Sequence, residues 1–199
     1  MGTTRRTALA TAALVLLGGI APATAAGPIA APTTAMPVLT GVSCGVTWGS
    51  LAKNVADAHV GDGTITNVRA GRHTCFDRTV IDVAGIPASK IGYSVRYVDT
   101  AYAPGSGQAV PLAGGARLQV DVTVPAYNSS GRSTFTPADR TRVVDVTGYD
   151  TLRQVAMAGS FEGRSTFGVG VRARLPMRVF VLDGPGTGSR LVIDVAHRW

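Results

Sequence analysis

Three nearly identical six-residue strings occur in the sequence, and this repeat constrains the fold more than any other feature. The copies are Arg78–Val83 (RTVIDV), Thr141–Val146 (TRVVDV) and Arg190–Val195 (RLVIDV). Their alternation is typical of a β-strand with one apolar inner face, and the aspartate of each copy points the other way, where a cross-strand arginine is the expected partner. Repeated strands suggest two similar half-sheets packed together. Convergence is the alternative, because alternating valine and aspartate is common in β proteins.

The rest of the sequence after residue 77 continues the period-2 pattern. The segments, divided by Gly, Pro and Asn, are 78–85, 92–100, 116–124, 141–149, 152–160, 164–174, 177–184 and 189–198. Short strands at this spacing predict an all-β fold, an antiparallel two-sheet sandwich or half-barrel. One short N-terminal helix is predicted within 47–59, where Trp48, Leu51 and Val55 share a helical face and Ser50 is placed as the N-cap.

The first 25 residues have the pattern of a secretory signal peptide. Arg5 and Arg6 precede an apolar run of 15 residues, and Ala23–Ala25 forms a small-residue cleavage site. The run is shorter than the roughly 20 residues that span a bilayer, so a retained anchor is the weaker alternative and no membrane contact is expected after cleavage. The adjacent arginines leave the twin-arginine route open beside general secretion. Residues 26–37, rich in Ala, Pro and Thr, predict an extended linker.

The two cysteines of the chain, Cys44 and Cys75, are expected to form a disulfide, since an exported chain meets an oxidising compartment. Two reduced, buried thiols are the alternative. The bridge would bracket an N-terminal segment, residues 38–75, which carries the short helix, and residues 76–199 would form the β domain. The cysteines and the three scattered histidines do not form the ligand sets of a zinc site, so no metal or other cofactor is expected.

The formal net charge is +7, or +5 without Arg5 and Arg6, and the basic residues are 17 arginines and 2 lysines. Outside the cell there is little nucleic acid to bind, so this surplus points to acidic polymers of the envelope and to no nucleic-acid partner. A solvated surface without a ligand is the alternative. The sequence does not indicate an oligomeric state.

Six segments resemble the AMIN-like domain of secreted and lipid-anchored proteins from high-GC Gram-positive bacteria. They are Cys75–Val83, Gly92–Val98, Gly105–Gly107, Ala158–Gly163, Val179–Asp183 and Arg190–Val195, and the resemblance covers roughly residues 76 to 199. It implies a non-catalytic module of two facing antiparallel sheets, which contacts peptidoglycan or another envelope component. The family carries no catalytic residues that could be transferred.

The first candidate binding group is Phe161, Glu162 and Arg164. Glu162 is the single glutamate of the chain and lies between two predicted strands. A carboxylate, a guanidinium and an aromatic ring are the groups that a sugar site uses. A salt bridge within the turn is the structural alternative. A two-carboxylate glycosidase would need a second acid nearby.

The second candidate binding group is an arginine stripe. Arg172 and Arg174 share one face of the predicted strand 164–174, and Arg178 follows beyond a proline. The stripe could hold carboxylates or phosphates of the wall, or it could pair with the aspartates of the repeated string.

Two further motifs are assigned to structure. Ser50–Lys53 matches the S-x-x-K motif of penicillin-recognising enzymes, but the chain lacks the companion motifs, and Ser50 is assigned to a helix cap. Gly184–Arg190 joins two strands and is assigned to a hairpin loop. The leading hypothesis is therefore a secreted, non-enzymatic envelope module with a cell-wall polymer or an envelope protein as partner. The alternatives are a small hydrolase that uses Glu162 and a protein-interaction module without glycan affinity.

Overall fold

A computed structural model describes residues 44–56 and 61–199 of the chain, and in these ranges the regular structure is almost entirely β-strand. The strands are β1 Lys53–Val55, β2 Thr64–Arg72, β3 Phe76–Ala84, β4 Tyr93–Val98, β5 Ala101–Tyr102, β6 Ala109–Val110, β7 Ala116–Val122, β8 Leu152–Phe161, β9 Arg164–Val171, β10 Met177–Asp183 and β11 Ser189–Ala196. One turn of 3-10 helix, Ala88–Lys90, lies between β3 and β4. The predicted all-β class is confirmed.

Two larger antiparallel sheets form the fold. Sheet A has the order β1-β4-β7-β9-β8, sheet B has the order β10-β11-β3-β2, and β5 and β6 form a separate ribbon. Side chains of both sheets share one apolar core, which includes Leu118, Val120, Phe167 and Val169 from sheet A and Ile65, Ile81, Leu191 and Ile193 from sheet B. This shared core confirms the prediction of a two-sheet sandwich.

Two copies of the repeated string form strands with the predicted alternation. Ile81 on β3 and Ile193 on β11 are each 1% exposed and belong to the core, together with Val83 and Val195. The aspartate of each copy occupies the position between two core residues, so its side chain lies on the other side of sheet B, where an arginine binds it. The period-2 pattern therefore assigned both faces of β3 and β11 correctly.

The two strand copies are direct neighbours in sheet B. In the antiparallel pair of β3 and β11, Arg78 lies opposite Asp194 and Arg190 lies opposite Asp82. Arginine and aspartate are four positions apart in the string, so an antiparallel pair of copies places each arginine against the other copy's aspartate. The expectation that the copies belong to two half-sheets is wrong, because both lie at the centre of one sheet.

The third copy, residues 141–146, is not a strand, and the predicted strand 141–149 is wrong. Asp145 Oδ1 accepts a hydrogen bond from the Thr147 N–H at 2.9 Å, and this bond lowers the pKa of Asp145. Such a side-chain turn competes with the strand ladder. The Val143 N–H still donates to the Val155 carbonyl at 2.9 Å, so the segment runs along the outer edge of β8 as a loop.

The predicted N-terminal helix is also wrong within the described residues. Residues 47–56 contain β1 and no helical turn, and Leu51, which was expected on a buried helical face, is 74% exposed. Ser50 is not a helix cap, since its Oγ accepts a hydrogen bond from Arg174 Nε at 3.2 Å. The tertiary contacts explain the difference: the Met177 N–H donates to the Gly49 carbonyl at 2.8 Å and holds this segment in a non-helical form beside β10.

Several predictions lie outside the described residues. These are the signal peptide at 1–25, the linker at 26–37, and residues 57–59 at the end of the predicted helix. For residues 44–56 and 61–199, no helix has the length and apolarity needed to cross a bilayer.

Candidate functional site

The outer face of sheet B, which points away from the core, carries a grid of charged and aromatic side chains. Residues opposite one another on neighbouring strands form rows across the sheet. In the strand order β10, β11, β3, β2, three successive rows are Leu182/Arg190/Asp82/Asn67, Phe180/Val192/Val80/Arg69 and Arg178/Asp194/Arg78/Gly71. The two central valines are only 2% and 8% exposed, so the larger side chains around them cover the middle of the sheet. This leaves two distinct regions, one at each end of the strands.

At the first end, a fully buried carboxylate binds two arginines. Asp194 is 0% exposed. Arg78 on β3 donates Nε to Oδ1 at 2.7 Å and Nη2 to Oδ2 at 2.9 Å, and Arg178 on β10 donates Nε to Oδ2 at 2.8 Å. The side-chain hydrogen bonds to Asp194 raise the pKa of Arg78. Two guanidinium groups and one carboxylate leave this end with one positive charge, and both carboxylate oxygens are satisfied, as burial requires.

Three aromatic rings pack around these guanidinium groups. The Arg178 Cζ lies 4.4 Å from the ring centroid of Trp48 and 5.3 Å from those of Phe76 and Phe180. The Arg78 Cζ lies 5.3 Å and 5.6 Å from the two phenylalanine centroids. We call the set Trp48, Phe76, Arg78, Arg178, Phe180 and Asp194 the aromatic–arginine cluster. Its alternation of flat rings and planar cations gives a rigid surface, because each group restricts its neighbours.

The disulfide brings Trp48 to this cluster. Cys44 and Cys75 are joined as predicted, with a Cα–Cα distance of 5.3 Å. Cys75 directly precedes Phe76, the first residue of β3, and the Trp48 and Phe76 ring centroids are 5.6 Å apart in an edge-to-face arrangement. The N-terminal segment thus supplies one side of the cluster although it precedes sheet B in the chain.

At the other end, the outer face forms a groove of about 900 Å³, which we call the polar groove. Its lining includes Arg69, Asp82 and Arg190, and the turn between β10 and β11, residues 184–188, forms part of its wall. Gly188 permits this turn to approach β3, since a Cβ there would lie 2.5 Å from the Val83 carbonyl oxygen.

The charges in the polar groove are unevenly paired. Arg69 on β2 binds Asp82 through Nε and Nη2, each at 2.7 Å. Arg190 donates Nη2 to the main-chain carbonyl of Asp183 at 2.9 Å, and its Nε is buried without a hydrogen-bond partner. Within the described part of the chain no carboxylate forms an ion pair with Arg190.

Phe161, Glu162 and Arg164, the first predicted group, lie together at the turn between β8 and β9 in sheet A. Glu162 has a φ of 47°, which is the left-handed region, and Phe161 is 49% exposed. No ion pair joins Glu162 to Arg164 within residues 44–56 and 61–199. The three side chains are therefore close in sequence and exposed, but they belong to the opposite sheet from the outer face described above.

The second predicted group, the arginine stripe, is divided between two places. β9 ends before Arg172 and Arg174, so both lie in the connection to β10 and the strand predicted to residue 174 is too long. Arg172 donates to the main-chain carbonyls of Asp150 and His197, and Arg174 donates to the Oγ and carbonyl of Ser50 at 3.2 and 3.3 Å. The third arginine of the stripe belongs to the aromatic–arginine cluster. Only this third one is paired with an aspartate of the repeated string.

A further polar group joins Asp77, Asp150 and His197. His197 Nε2 lies 3.1 Å from Asp77 Oδ1 and 3.7 Å from Asp150 Oδ2. The buried Asp77 also accepts the N–H groups of Thr151 and Leu152 at 2.5 and 3.0 Å. Three ligand atoms of this group lie within 4.8 Å of one another, but the hydrogen bonds of Asp77 to main chain identify the group as a link between β3, the start of β8 and the end of β11.

Sequence analysis missed the aromatic–arginine cluster as a site, although two signals for it were present. The predicted disulfide places residue 48 beside residue 76, and the alternation of β3 and β10 directs Phe76 and Phe180 outward with Arg78 and Arg178. Neither signal is visible from a single strand, because the cluster forms only when β10, β11 and β3 are side by side.

The fold is a β-sandwich module, and the outer face of its sheet B carries aromatic rings, arginines and a groove. The family model of the AMIN-like domain matches residues 63–197, which is more than half of the chain and includes β2 to β11. The protein belongs to the AMIN-like domain family, as the sequence resemblance indicated, and membership of this family points to a cell-envelope module. No curated protein matches the chain.

Proposed function

We propose that this protein is a non-enzymatic module of the cell envelope that binds a wall polymer, with peptidoglycan as the expected ligand, through the outer face of sheet B. The observation that carries the proposal is that both regions lie on this one face. Rings and guanidinium groups lie at one end of β3, β10 and β11, and a groove of about 900 Å³ lies at the other end. An extended polymer can contact both regions, whereas a small ligand would occupy only one.

The chemistry of the outer face suits a glycan. Sugar rings present apolar faces that stack on aromatic side chains, and their hydroxyl and carboxylate groups accept hydrogen bonds from planar donors such as arginine. Trp48, Phe76 and Phe180 are each partly exposed, so they offer surface while the core holds their strands in place. Because these side chains are ordered by ion pairs and ring contacts, binding costs little additional conformational entropy.

The position of Glu162 supports a non-enzymatic role. A carboxylic acid that donates a proton in glycoside hydrolysis usually lies in an apolar, water-excluding site that raises its pKa. Glu162 is exposed at a hairpin turn in sheet A, away from the groups that line the polar groove. A hydrolase that uses Glu162 therefore has less support than a binding module.

The test is co-sedimentation of the purified protein with protein-free peptidoglycan sacculi. Phe180→Ala should lower the apparent affinity about tenfold, which corresponds to a loss of roughly 1.4 kcal/mol. Phe161→Ala is the matched control, since it removes the same atoms from a partly exposed phenylalanine on the other sheet, and it should bind as the unchanged protein does. Melting temperatures of both variants verify that they are folded.

The outcomes separate the competing functions. Equal binding by the two folded variants would contradict a site on the outer face. Loss of binding in Phe161→Ala alone would return the site to Phe161, Glu162 and Arg164. Release of soluble fragments from sacculi, abolished in Glu162→Gln, would establish the hydrolase, and capture of an envelope protein without any binding to sacculi would favour the protein-interaction module.

A further inference from the structure

The repeated string is self-complementary, yet only one of its two cross-strand pairs is formed. Arg78 lies opposite Asp194 and binds it with two hydrogen bonds. Arg190 lies opposite Asp82 in the same register, but the two do not form an ion pair. An arginine therefore lies opposite an aspartate at both ends of the β3–β11 pair, but only one of these two pairs forms an ion pair.

The neighbouring strand β2 accounts for the difference. A bulge between Ile65 and Asn67 shifts its register against β3, and Arg69 reaches diagonally to Asp82 with both hydrogen bonds at 2.7 Å. Asp82 is thus occupied, and Arg190 Nη2 donates instead to the main-chain carbonyl of Asp183. Two guanidinium groups against one carboxylate give the polar groove a local charge of +1.

We infer that Arg190 forms a carboxylate-binding subsite in the polar groove, which would accept a carboxylate of the wall polymer. This inference rests on the proposed function and names the chemical group that the groove selects. The Arg190 Nε is buried and its Nη2 already donates one hydrogen bond to the Asp183 carbonyl, so a ligand carboxylate would bind Nη1 and the second N–H of Nη2. Charge-assisted hydrogen bonds of this kind are stronger than neutral ones. Arg69 is not the selecting group, because Asp82 already binds its Nε and Nη2.

The experiment compares untreated sacculi with sacculi whose carboxylates have been converted to neutral amides by carbodiimide and ethanolamine. The unchanged protein should bind the amidated sacculi about tenfold more weakly. Arg190→Gln should bind untreated sacculi about tenfold more weakly than the unchanged protein, and amidation should cause little further loss in this variant. The two losses are not additive because they remove the two partners of one contact.

A second variant should act in the opposite direction. Asp82→Asn removes the carboxylate that competes for arginine in the polar groove, so Arg69 and Arg190 both become available to the ligand. Binding to untreated sacculi should rise several-fold, and the rise should disappear on amidated sacculi. Unchanged or weaker binding by this variant, with an unaltered melting temperature, would contradict the inference.

The source of the carboxylate can be identified in the same assay. An amidase hydrolyses the amide bond between the lactyl group of the sugar and the stem peptide, so it removes the peptide carboxylates and frees one lactyl carboxylate for each bond cleaved. Loss of binding after this treatment shows that the subsite uses a carboxylate of the peptide. Binding that persists, and then falls when the glycan is amidated, shows that the subsite accepts a carboxylate on the sugar. Both results support the subsite.

Failure of the inference and failure of the proposed function look different. If amidated and untreated sacculi bind equally while Phe180→Ala still weakens binding, the outer face binds a glycan and the carboxylate subsite is wrong. If the unchanged protein binds neither preparation, the proposed function is wrong as well.

Discussion

The aromatic–arginine cluster and the polar groove are built on the same pair of strands from the same repeated string, yet they differ in burial and in charge pairing. Asp194 is fully buried and binds two arginines, whereas the Asp82 side chain is 18% exposed and binds one. The string places an aspartate and an arginine at each end. The strands on either side determine which of them pair.

The difference arises because each aspartate meets different neighbours. Asp194 has an arginine directly opposite on both sides, Arg78 on β3 and Arg178 on β10. Asp82 has Arg190 opposite on one side and Asn67 on the other, and its partner Arg69 comes from the next row. Nearly identical local sequences therefore give two different results: at one end of the outer face both arginines bind the buried aspartate, and at the other end Arg190 has no ion pair with Asp82.

The largest expected effect is the loss of both regions at once. A chain that ends at Gly188 lacks β11, which lies between β10 and β3 and carries Leu191, Ile193 and Val195 into the core. Each of these side chains stabilises the fold by roughly 1.5 to 3 kcal/mol, against a typical total of 5 to 15 kcal/mol. Circular dichroism should show no cooperative melt, and a retained cooperative melt would show that sheet B does not need β11.

Replacing Asp194 and Asp82 one at a time tests whether the aromatic–arginine cluster and the polar groove differ in stability. Asp194→Asn should lower the free energy of unfolding by about 3 to 5 kcal/mol, because it leaves two guanidinium groups over a buried position without a counter-charge. Asp82→Asn should cost at most about 1 kcal/mol, since Arg69 is half exposed and water can solvate it. Urea unfolding measures both values. Equal losses would mean that the two ends are energetically alike.

Removal of the disulfide should weaken the aromatic–arginine cluster more than the polar groove. The bridge closes a sequence separation of 31 residues. Its loss in the Cys44→Ala and Cys75→Ala double variant should cost roughly 3 kcal/mol in the chain-entropy description. We also expect weaker binding to sacculi, because Trp48 is no longer tied to Phe76. A variant with an unchanged urea midpoint and unchanged binding would show that the bridge does not hold the cluster together.

The smallest effect is expected in the loop between β9 and β10. Arg172 and Arg174 contact main-chain carbonyls and Ser50, and they lie outside the outer face of sheet B. Their double replacement by alanine should lower binding to sacculi by less than about threefold through reduced surface charge, which salt also screens. The melting temperature should stay within a few degrees. A loss of binding as large as that of Phe180→Ala would move the polymer site to this loop.

Much of the fold follows from alternation alone, and the failures have identifiable causes. β3 and β11 were predicted with their buried faces because Ile81 and Ile193 alternate with outward charges. Residues 141–146 show the same pattern but form a loop, since Asp145 and Thr147 make a local turn that no alternation rule detects. β2 was not predicted, because its bulge and its run of Asn, Arg and Gly interrupt the period.

The candidate site was less predictable than the fold. The sequence indicates that Arg178 is basic, but not that its Cζ lies 4.4 Å from the Trp48 ring centroid. That contact depends on a disulfide and on a non-helical segment where a helix was expected. The sequence also provided no indication that Arg190 would lack an ion pair with Asp82. This outcome depends on Arg69 crossing from β2 to Asp82, a contact set by the register of a bulged strand.

The two tryptophans of the chain allow the most direct test of the central claim, that the outer face of sheet B binds a wall polymer. Trp48 lies in the aromatic–arginine cluster, whereas the Trp199 indole N–H donates to the Arg174 carbonyl at 3.2 Å and its ring is 70% exposed. Their two indole N–H signals should be separately visible in an NMR spectrum of nitrogen-15-labelled protein. Titration with soluble peptidoglycan fragments should shift the Trp48 signal and leave the Trp199 signal in place. A shift of the Trp199 signal alone, or of neither signal at saturating fragment concentration, would contradict the account.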